Sequence, residues 1–591
     1  MELMERIEQG IKKKHSPTES DTDFVDAVYE LFDEFKDSYT EEWTRIDDNE
    51  KMYRGDHWHD VPQSDPNEPR PSTPIIQSTI ENIRADLSDE FPEAVIRPED
   101  IGDEVCAKVL TEIVAQDLEA TDYEHEYDLL SHDILVGGWT VQETGWDNTL
   151  HNGLGGSFIR HVSNKNFMCD PKCADIQNGR AVFKFDKLPR EFFRQRFPKV
   201  YPHMENDVQT ISKEHDEFGN LVKSKDSEYM VMIEAWFRFF DGKRYRVHMV
   251  KVAGGKVLEN SYNVKADGYF AHGEYPFKVT PLFTQKGTPF GYGIVDMFKS
   301  AQKYSDKLDQ ILLTNALIAS KPKLLVQADA ADIDDLRDYS KSVHEVKGNP
   351  DLVAKWHDPP SLPSHIMNYM ALTRQSIKDE SGSNDFSRGN VSAGVTAASA
   401  ITALQEMSSK RSRMESRRLH LGFKESVRMM LEVDREFITY PRFVTVTIAG
   451  EPQRIKVSDQ FFRANTFGIE VPIEFNVSIK TMRETKFTKL ANNELMLQAV
   501  NIFGASADPV IIFEGMEFDG KELLLEKLRA AQGKGMLALQ QQLAQAQQII
   551  EQLAKQNEES NAAIASMQNA LAAEQYQPTD QPTIPEQLPA V

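Results

Sequence analysis

The strongest constraint on the fold is a series of three helical patterns in the second half of the chain, separated by a compact segment and a polar loop. The first helix, predicted over Ile294–Ala319, contains neither proline nor interior glycine, and the third runs from Thr396 to about Phe437. A shorter helix is predicted between them over Ser364–Glu380. The separating segments are Lys321–Leu362, with a proline-rich exit, and the glycine-punctuated loop Ser381–Gly394. The fold must therefore accommodate long helices that are interrupted at two defined places.

The N-terminal region is also predicted to be helical. Apolar residues recur at helical spacing within Asp21–Asp48, and a proline-rich loop covers Pro62–Pro74. Further amphipathic helices are predicted over Ile75–Phe91, Glu104–Leu118 and Tyr123–Leu135.

The middle third changes to strand-like patterns after Gly137-Gly138. Strands are predicted over Trp139–Trp146, Ser157–Val162, Arg180–Phe185, Tyr229–Phe240, Arg244–Val252 and Lys256–Asn263. Within Lys321–Leu362, Pro322–Val326 is β-like and Asp332–Tyr339 is an acidic helix. Further strands are predicted at Phe443–Ile448, Gln453–Val457 and Ile469–Lys480, and further helices near Phe487–Ile502 and Gly520–Ala531. The predicted fold class is therefore α+β and predominantly helical.

The C-terminal region carries a heptad repeat. One series is Met536, Leu543, Ile550, Asn557, Ile564 and Leu571, and its partner series is Leu539, Ala546, Leu553, Ser560 and Met567. The pattern predicts a coiled coil or helical barrel over residues 535–575, with Leu543, Ile550, Leu553, Ile564 and Leu571 in its seam. A lone amphipathic helix packed on its own core is the alternative. The polar end, Tyr576–Val591, is predicted to be disordered.

The net charge limits the classes of function. With 93 acidic and 67 basic residues the chain carries −26, whereas a free nucleic-acid binder neutralises phosphates with basic residues. A conduit past which DNA moves is not excluded, because such a surface does not need to hold DNA.

The cysteines predict assembly in a reducing compartment, and the apolar segments predict no membrane-spanning helix. Cys106, Cys169 and Cys173 give no disulfide framework, so assembly in a reducing cytoplasm is expected. The charged N-terminus lacks the apolar core of a signal peptide, and no window approaches the roughly 18 apolar residues of a membrane span.

Three residue groups resemble metal ligands without completing a site. Cys169-Asp-Pro-Lys-Cys173 lacks the second cysteine pair of a tetrahedral zinc centre. The segment His57-Trp58-His59-Asp60 is interpreted as a surface loop with Trp58 as its packing anchor, and the acidic run Asp329–Asp338 lacks the glycine and terminal glutamate of a calcium loop. Phosphate-loop, nucleophile-elbow and dinucleotide motifs are absent. We therefore expect no metal, no cofactor and no enzymatic activity.

One cluster reverses the prevailing charge at the middle of the third helix. Its basic residues are Lys410, Arg411, Arg413, Arg417 and Arg418. They spread over much of the helix circumference, so contact with phosphate and pairing with acidic neighbours, in the same or an adjacent subunit, both remain open.

The order of the elements is similar to that of the portal proteins of tailed double-stranded DNA bacteriophages. The residues that carry the resemblance are Tyr53-Arg-Gly55 followed by Trp58, Arg70-Pro71, Asn82, Asn166–Asp175 with Asp170-Pro171, Tyr275-Pro-Phe277, Gly291-Tyr-Gly293, Gln302, Asn315, Arg388-Gly389 and Ser392-Ala-Gly394. Together they cover most of the chain up to about Phe437. The heptad region resembles the C-terminal barrel of some short-tailed phage portals.

The resemblance implies a portal fold with wing, stem, clip, crown and barrel. The implied boundaries are wing 1–290, first stem helix 291–320, clip 321–362, second stem helix 363–380, tunnel loop 381–394, long helix and returning wing strands 395–484, crown 485–534, barrel 535–575 and disordered tail 576–591.

The resemblance also implies the roles of particular residues. Asn384, Asp385, Phe386, Ser387, Arg388 and Asn390 would face DNA, on a loop that moves at Gly382, Gly389 and Gly394. Clip residues that would dock the motor and then the tail are Lys321, Lys323, Asp332, Asp334, Asp335 and Asp338.

The implied assembly is a ring, expected to be a dodecamer, at one capsid vertex, through which the genome is packaged and ejected. Its implied partners are double-stranded DNA, the terminase large subunit, the major capsid and scaffolding proteins, and tail adaptor proteins. The protein would be a virion component assembled in the host cytoplasm, without a membrane partner. A negative channel wall would repel phosphate, so that DNA passes without adhering.

Two other functions remain as alternatives. A coiled-coil scaffolding or adaptor protein would have no channel. An undetected nucleotide- or metal-dependent enzyme would place its site near Asp332–Asp338 or Cys169.

Overall fold

The computed structural model describes residues 2–13, 22–63, 65–66, 68–89, 91–98, 104–204, 229–320, 323–338, 340–349, 353–357, 364–381, 410–438, 442–448, 451–457, 463–466, 469–472 and 475–481. The elements below lie in one unit, Met1–Val446 with Arg454–Arg483, except that the turn-side residues Thr447–Gln453 of one hairpin fall in a second unit.

More of the described residues lie in helices than in strands. The helices are α1 Glu2–Ile11, α2 Thr22–Tyr53, α3 Ile75–Asp89, α4 Glu104–Ala120, α5 Tyr123–Val136, α6 Arg190–Arg196, α7 Ile294–Ser320, α8 Ile333–Arg337, α9 Ser364–Ser381 and α10 Lys410–Phe437. Short 3-10 turns occur at Ile176–Asn178, Tyr201–His203 and Ser261–Asn263. The long helices predicted from apolar spacing are confirmed, although residues 396–409 of the third helical pattern lie outside the described residues.

The strands form several antiparallel sheets. They are β1 Pro92–Pro98, β2 Trp139–Asp147, β3 Gly156–Val162, β4 Phe167–Cys169, β5 Ala181–Pro189, β6 Tyr229–Phe240, β7 Tyr245–Ala253, β8 Lys256–Asn260, β9 Phe277–Pro281, β10 Phe283–Thr284, β11 Gly291–Tyr292, β12 Lys323–Val326, β13 Ala354–His357, β14 Arg442–Ile448, β15 Glu451–Val457, β16 Arg463–Thr466, β17 Ile469–Pro472 and β18 Phe475–Thr481. The largest sheet has the order β4-β5-β6-β7-β8, and a second has the order β3-β2-β9.

Both faces of the five-stranded sheet are covered. Successive side chains of a strand point to opposite faces, so Phe183 packs against α2 while its neighbour Val182 faces the core shared with the three-stranded sheet. Phe32 and Phe35 of α2 meet the Phe183 ring edge to face, with centroids 5.5 and 5.3 Å away. Burying each of these rings contributes on the order of 1.5–3 kcal/mol.

Helix α10 packs closely against the three-stranded sheet. A Cβ built on Gly422 would overlap the Thr280 hydroxyl of β9, and the buried Ser426 hydroxyl donates to Gln142 Oε1 at 2.6 Å. Glycine at 422 therefore permits the close approach of α10 to the three-stranded sheet.

The predicted strands differ from those of the structure at several places. β1 was not predicted, because it begins and ends with proline and its partner, β18, lies far away in sequence. The single strand predicted over Ile469–Lys480 is wrong: the structure has β17 and β18 there, and β17 pairs with the unpredicted β16. The strand predicted over Lys256–Asn263 ends at Asn260, whose side chain accepts from Tyr262 N and starts a 3-10 turn.

Candidate functional site at the base of the paired helices

Helix α7 changes character along its length. Its buried residues all lie in the first half and share one face: Ile294, Val295, Phe298, Gln302, Ser305 and Asp306. Three of the six are polar, and a buried polar group needs a partner inside the protein. The surroundings of Asp306 therefore determine how the helix is held.

Asp306 is bound by the N-terminal segment. His57 Nδ1 lies 2.6 Å from Asp306 Oδ2, and both side chains are 1% exposed. Thr73 N donates to Asp306 Oδ1 at 3.3 Å, and Gln302 Nε2 donates to the same oxygen at 3.0 Å. The interpretation of His57 as part of a surface loop is wrong, because its imidazole pairs with a carboxylate that the helix buries.

The same segment runs along α7 on either side of this pair. Lys303 Nζ pairs with Asp60 Oδ2 at 2.5 Å, and Gln310 Nε2 donates to the Pro69 carbonyl at 3.1 Å. Trp58 does act as a packing anchor, with its ring nitrogen donating to the Pro71 carbonyl at 2.9 Å.

Helix α9 joins the same network. Arg374 Nη2 pairs with Asp309 Oδ2 at 2.5 Å, and the Thr73 hydroxyl donates to the same oxygen at 3.1 Å. Asp309 thus connects α7 with both α9 and the N-terminal segment. We call the set His57, Thr73, Gln302, Asp306, Asp309 and Arg374 the junction network.

The first turn of α7 is positioned by a second set of contacts. Gly293 N donates to Asp296 Oδ2 at 3.0 Å, and Asp296 also pairs with Arg45 of α2. Arg45 Nη2 donates to the Gly137 carbonyl at 2.7 Å. Gly138 has φ of 92°, and a Cβ there would lie 2.6 Å from Gly293 N, so neither a side chain nor another conformation fits. These contacts explain the glycines on both sides of this turn.

The distal half of the helix pair is exposed and apolar. In the second half of α7 and the first half of α9, the exposed large apolar residues are Ile311, Leu313, Leu317, Ile318, Met367, Tyr369 and Leu372. Exposed apolar surface of this extent marks an interaction surface. In the sequence between the two helices, β12 and β13 pair antiparallel, with Leu324 opposite Trp356 in the register.

The acidic residues predicted in the clip have local partners. Asp332 accepts from Asp334 N at 3.0 Å and caps α8, and Asp338 accepts from the Ser340 hydroxyl at 2.6 Å. Lys341 and His344 both contact Asp335. The Lys341 ammonium holds the pKa of Asp335 below its usual value, and the hydroxyl of Ser340 does the same for Asp338. These contacts cap and close a turn rather than direct several carboxylates at one point.

The remaining predicted site residues are placed only in part. Lys323 lies in β12, and Lys410, Arg411, Arg413, Arg417 and Arg418 lie in the first turns of α10, where Arg417 is exposed. Lys321, all the tunnel-loop residues, the hinge glycines and the barrel seam lie outside the described residues. Their assigned roles stay predictions.

The cysteine pair has the contacts of core and turn residues. Cys169 N donates to the Tyr39 hydroxyl at 2.8 Å, and the same hydroxyl donates to the Cys169 carbonyl at 3.0 Å. Burial raises the pKa of the Cys169 thiol to about 12. Cys173 Sγ contacts the Asn178 carbonyl at 3.4 Å. In the part of the chain that the structure describes, no group of three His, Cys, Asp or Glu residues is placed to hold a metal ion.

The comparison with protein families decides the identity of this architecture. The family model for the phage P22-like portal protein matches residues 29–577, nearly the whole chain. The chain belongs to the P22-like phage portal family. No curated protein matches it.

Membership in the portal family settles the broad function. The protein is a portal protein, and the genome channel and the docking of packaging and tail proteins follow from the family. The family is structural and not enzymatic, and an adaptor without a channel is not favoured. Family membership also implies an oligomeric ring in the capsid, with terminase, tail proteins and DNA as partners. Among the described helices, none is long and apolar enough to cross a membrane.

Proposed function

We propose that this portal subunit assembles into a dodecameric ring in which α7 and α9 form the stem around the channel. The observation that carries the proposal is the exposed apolar surface on the distal halves of α7 and α9. A closed ring uses two different patches of each subunit, and paired helices that leave apolar side chains on several sides suit such a heterologous interface.

The remaining regions of the subunit are assigned as the clip, the tunnel loop, the crown and the barrel. The region around β12, α8 and β13 is the clip, which docks the terminase large subunit during packaging and tail adaptor proteins afterwards. The loop 381–394 faces DNA, residues 485–534 form the crown, and residues 535–575 form a helical barrel of the short-tailed-phage type. The ring assembles in the host cytoplasm with capsid and scaffolding proteins.

The charge of the subunit suits a conduit. Each copy carries −26, so a ring multiplies a field that repels phosphate groups. DNA then moves along the channel without being held by the wall.

The proposal is tested by imaging and weighing the purified assembly. Electron micrographs should show rings with a central hole, and native mass spectrometry should give twelve subunits, as the resemblance implies. Leu317→Asp should abolish the rings, because it places a charge on an apolar surface that the neighbouring copy covers.

Ser320→Asp is the matched control, since it adds the same charge at an exposed position at the end of the same helix. It should leave the rings intact. A Leu317→Asp protein that still forms normal rings would contradict the assignment of α7 to the interface.

A further inference from the structure

A pocket of about 400 Å³ lies between α10 and the β1–β18 pair. Its lining residues are Arg97, Arg417, His420, Leu421, Lys424 and the strand segment Asn476–Ile479. The junction network and the stem helices take no part in it, so the proposed function leaves this pocket without a role.

The rim of the pocket is cationic. Arg417 and Lys424 are seven residues apart on α10, which places them two turns, about 10 Å, apart on one side of the helix. Arg97 approaches from β1, where it pairs with Asn476 in the strand register. Among the described residues, no acidic side chain lines the pocket, and no carboxylate forms an ion pair with these three cations. In a chain of net charge −26, such a surface selects an anionic partner.

The floor of the pocket is apolar. Leu421 is 48% exposed, and it faces the same space as Val477 and Ile479. Among the described strands β18 pairs with β1 alone, which leaves one edge of β18 without a described partner strand. An open strand edge accepts an extended peptide, with side-chain pockets providing selectivity.

These features distinguish a peptide from nucleic acid. A DNA backbone offers phosphates to the cations but no apolar group for Leu421 and Ile479. An extended acidic segment with an apolar side chain satisfies the rim, the floor and the strand edge together. The neighbouring copies of a strongly acidic chain supply such a segment at high local concentration.

We propose that the pocket formed by Arg97, Arg417, Leu421, Lys424 and β18 receives an acidic segment of a neighbouring copy in the ring. The inference rests on the proposed ring and adds a second subunit contact, away from the stem helices. Because the contact is electrostatic at its rim, added salt weakens it.

Charge reversal provides the first test. Arg417→Glu and Lys424→Glu are each compared with Arg418→Glu, which makes the same charge change on the same helix outside the pocket. Subunit association is measured by sedimentation velocity over a series of NaCl concentrations, and affinity for a labelled DNA duplex by fluorescence anisotropy. Each pocket variant should weaken association at least tenfold at low salt and flatten its salt dependence, whereas Arg418→Glu and all duplex affinities should match the wild type.

Two outcomes would overturn the proposal. Pocket variants that associate like Arg418→Glu would show that no subunit uses the pocket. Loss of duplex affinity with unchanged association would instead identify a phosphate site. A wild-type protein that forms no rings contradicts the proposed function itself, which is a separate failure.

Photo-crosslinking keeps the test valid if a charge-reversed variant does not fold. A benzophenone amino acid at Leu421 should give an adduct between two copies, and mass spectrometry should locate the partner peptide in an acidic segment. The same group at Met414, an exposed position of α10 outside the pocket, is the control. An assembled ring without an inter-subunit adduct from position 421 would reject the contact.

Discussion

At the scale of residues, the buried carboxyl group of Asp434, near the end of α10, couples stability to pH and lies beside a second buried carboxylate, Asp117. Asp117 accepts from Ser157 N at 3.0 Å and from Arg442 Nη1 at 3.1 Å, and it pairs with His151 at 2.6 Å. Asp434 is fully buried. Burial, and then the charge of Asp117, raise the pKa of Asp434 well above its usual value. The protonated form of Asp434 is thus the one that the folded state favours.

Asp434→Asn is expected to stabilise the protein increasingly as pH rises. A raised folded-state pKa stabilises the fold below the unfolded value of about 4, and this contribution is lost as pH rises through the folded value. Asparagine resembles the protonated acid and does not ionise, so the variant keeps this stabilising contribution as pH rises. The advantage of the variant over the wild type should grow between pH 5 and pH 8, by at most about 1.4 kcal/mol per pH unit, measured by urea unfolding. A difference that is constant over this range would show that Asp434 does not titrate as argued.

Single residues also show which contacts could not be predicted from the sequence. The pairing of His57 with Asp306 was missed, although a signal existed: Gln302 and Asp306 interrupt the apolar face that Ile294 and Phe298 begin. Polar residues on a buried stripe require partners, but the stripe alone does not say which segment supplies them. The partner is 249 residues away in sequence, and no local pattern encodes that distance.

At the scale of elements, helices were predicted well because apolar spacing and the absence of proline are local properties. β1 and β18 were predicted poorly because a strand pair depends on a partner, here between Pro92–Pro98 and Phe475–Thr481. The contact of α10 with the three-stranded sheet was likewise not visible in the sequence. Gly422 is the residue that permits it.

Gly422→Ala is expected to destabilise the protein. Alanine favours a helix over glycine by about 1 kcal/mol, but its Cβ would overlap the Thr280 hydroxyl, and overpacking of this kind costs about 1–3 kcal/mol. Thermal unfolding should show a lower Tm for Gly422→Ala. In the double variant with Thr280→Ala the Tm should recover, because the overlapping hydroxyl is gone. Equal losses with and without Thr280 would contradict the steric explanation.

At the scale of the whole molecule, the order of parts and the net charge were readable from the sequence, and the family match agrees with the portal assignment. The subunit number was not readable, because it depends on the rotation between two patches of neighbouring copies, a geometry that no stretch of sequence carries. The channel itself is a property of the ring. An experiment that tests the channel must therefore measure ring assembly and DNA passage separately.

Deletion of residues 382–394 makes that separation. The sequence of this segment is polar, with Asn384, Asp385 and Arg388 among its residues, and Gly382, Gly389 and Gly394 are its predicted hinges. Removing it should leave ring formation intact, since the proposed subunit contacts lie on α7, α9 and α10. Packaging or genome retention should fall, measured as nuclease-protected DNA per particle. Replacing the same residues with a glycine-serine linker of equal length controls for the shortened connection. Full packaging with the linker would show that the loop does not act on DNA, and loss of rings in the deletion would count against the assignment of the tunnel loop.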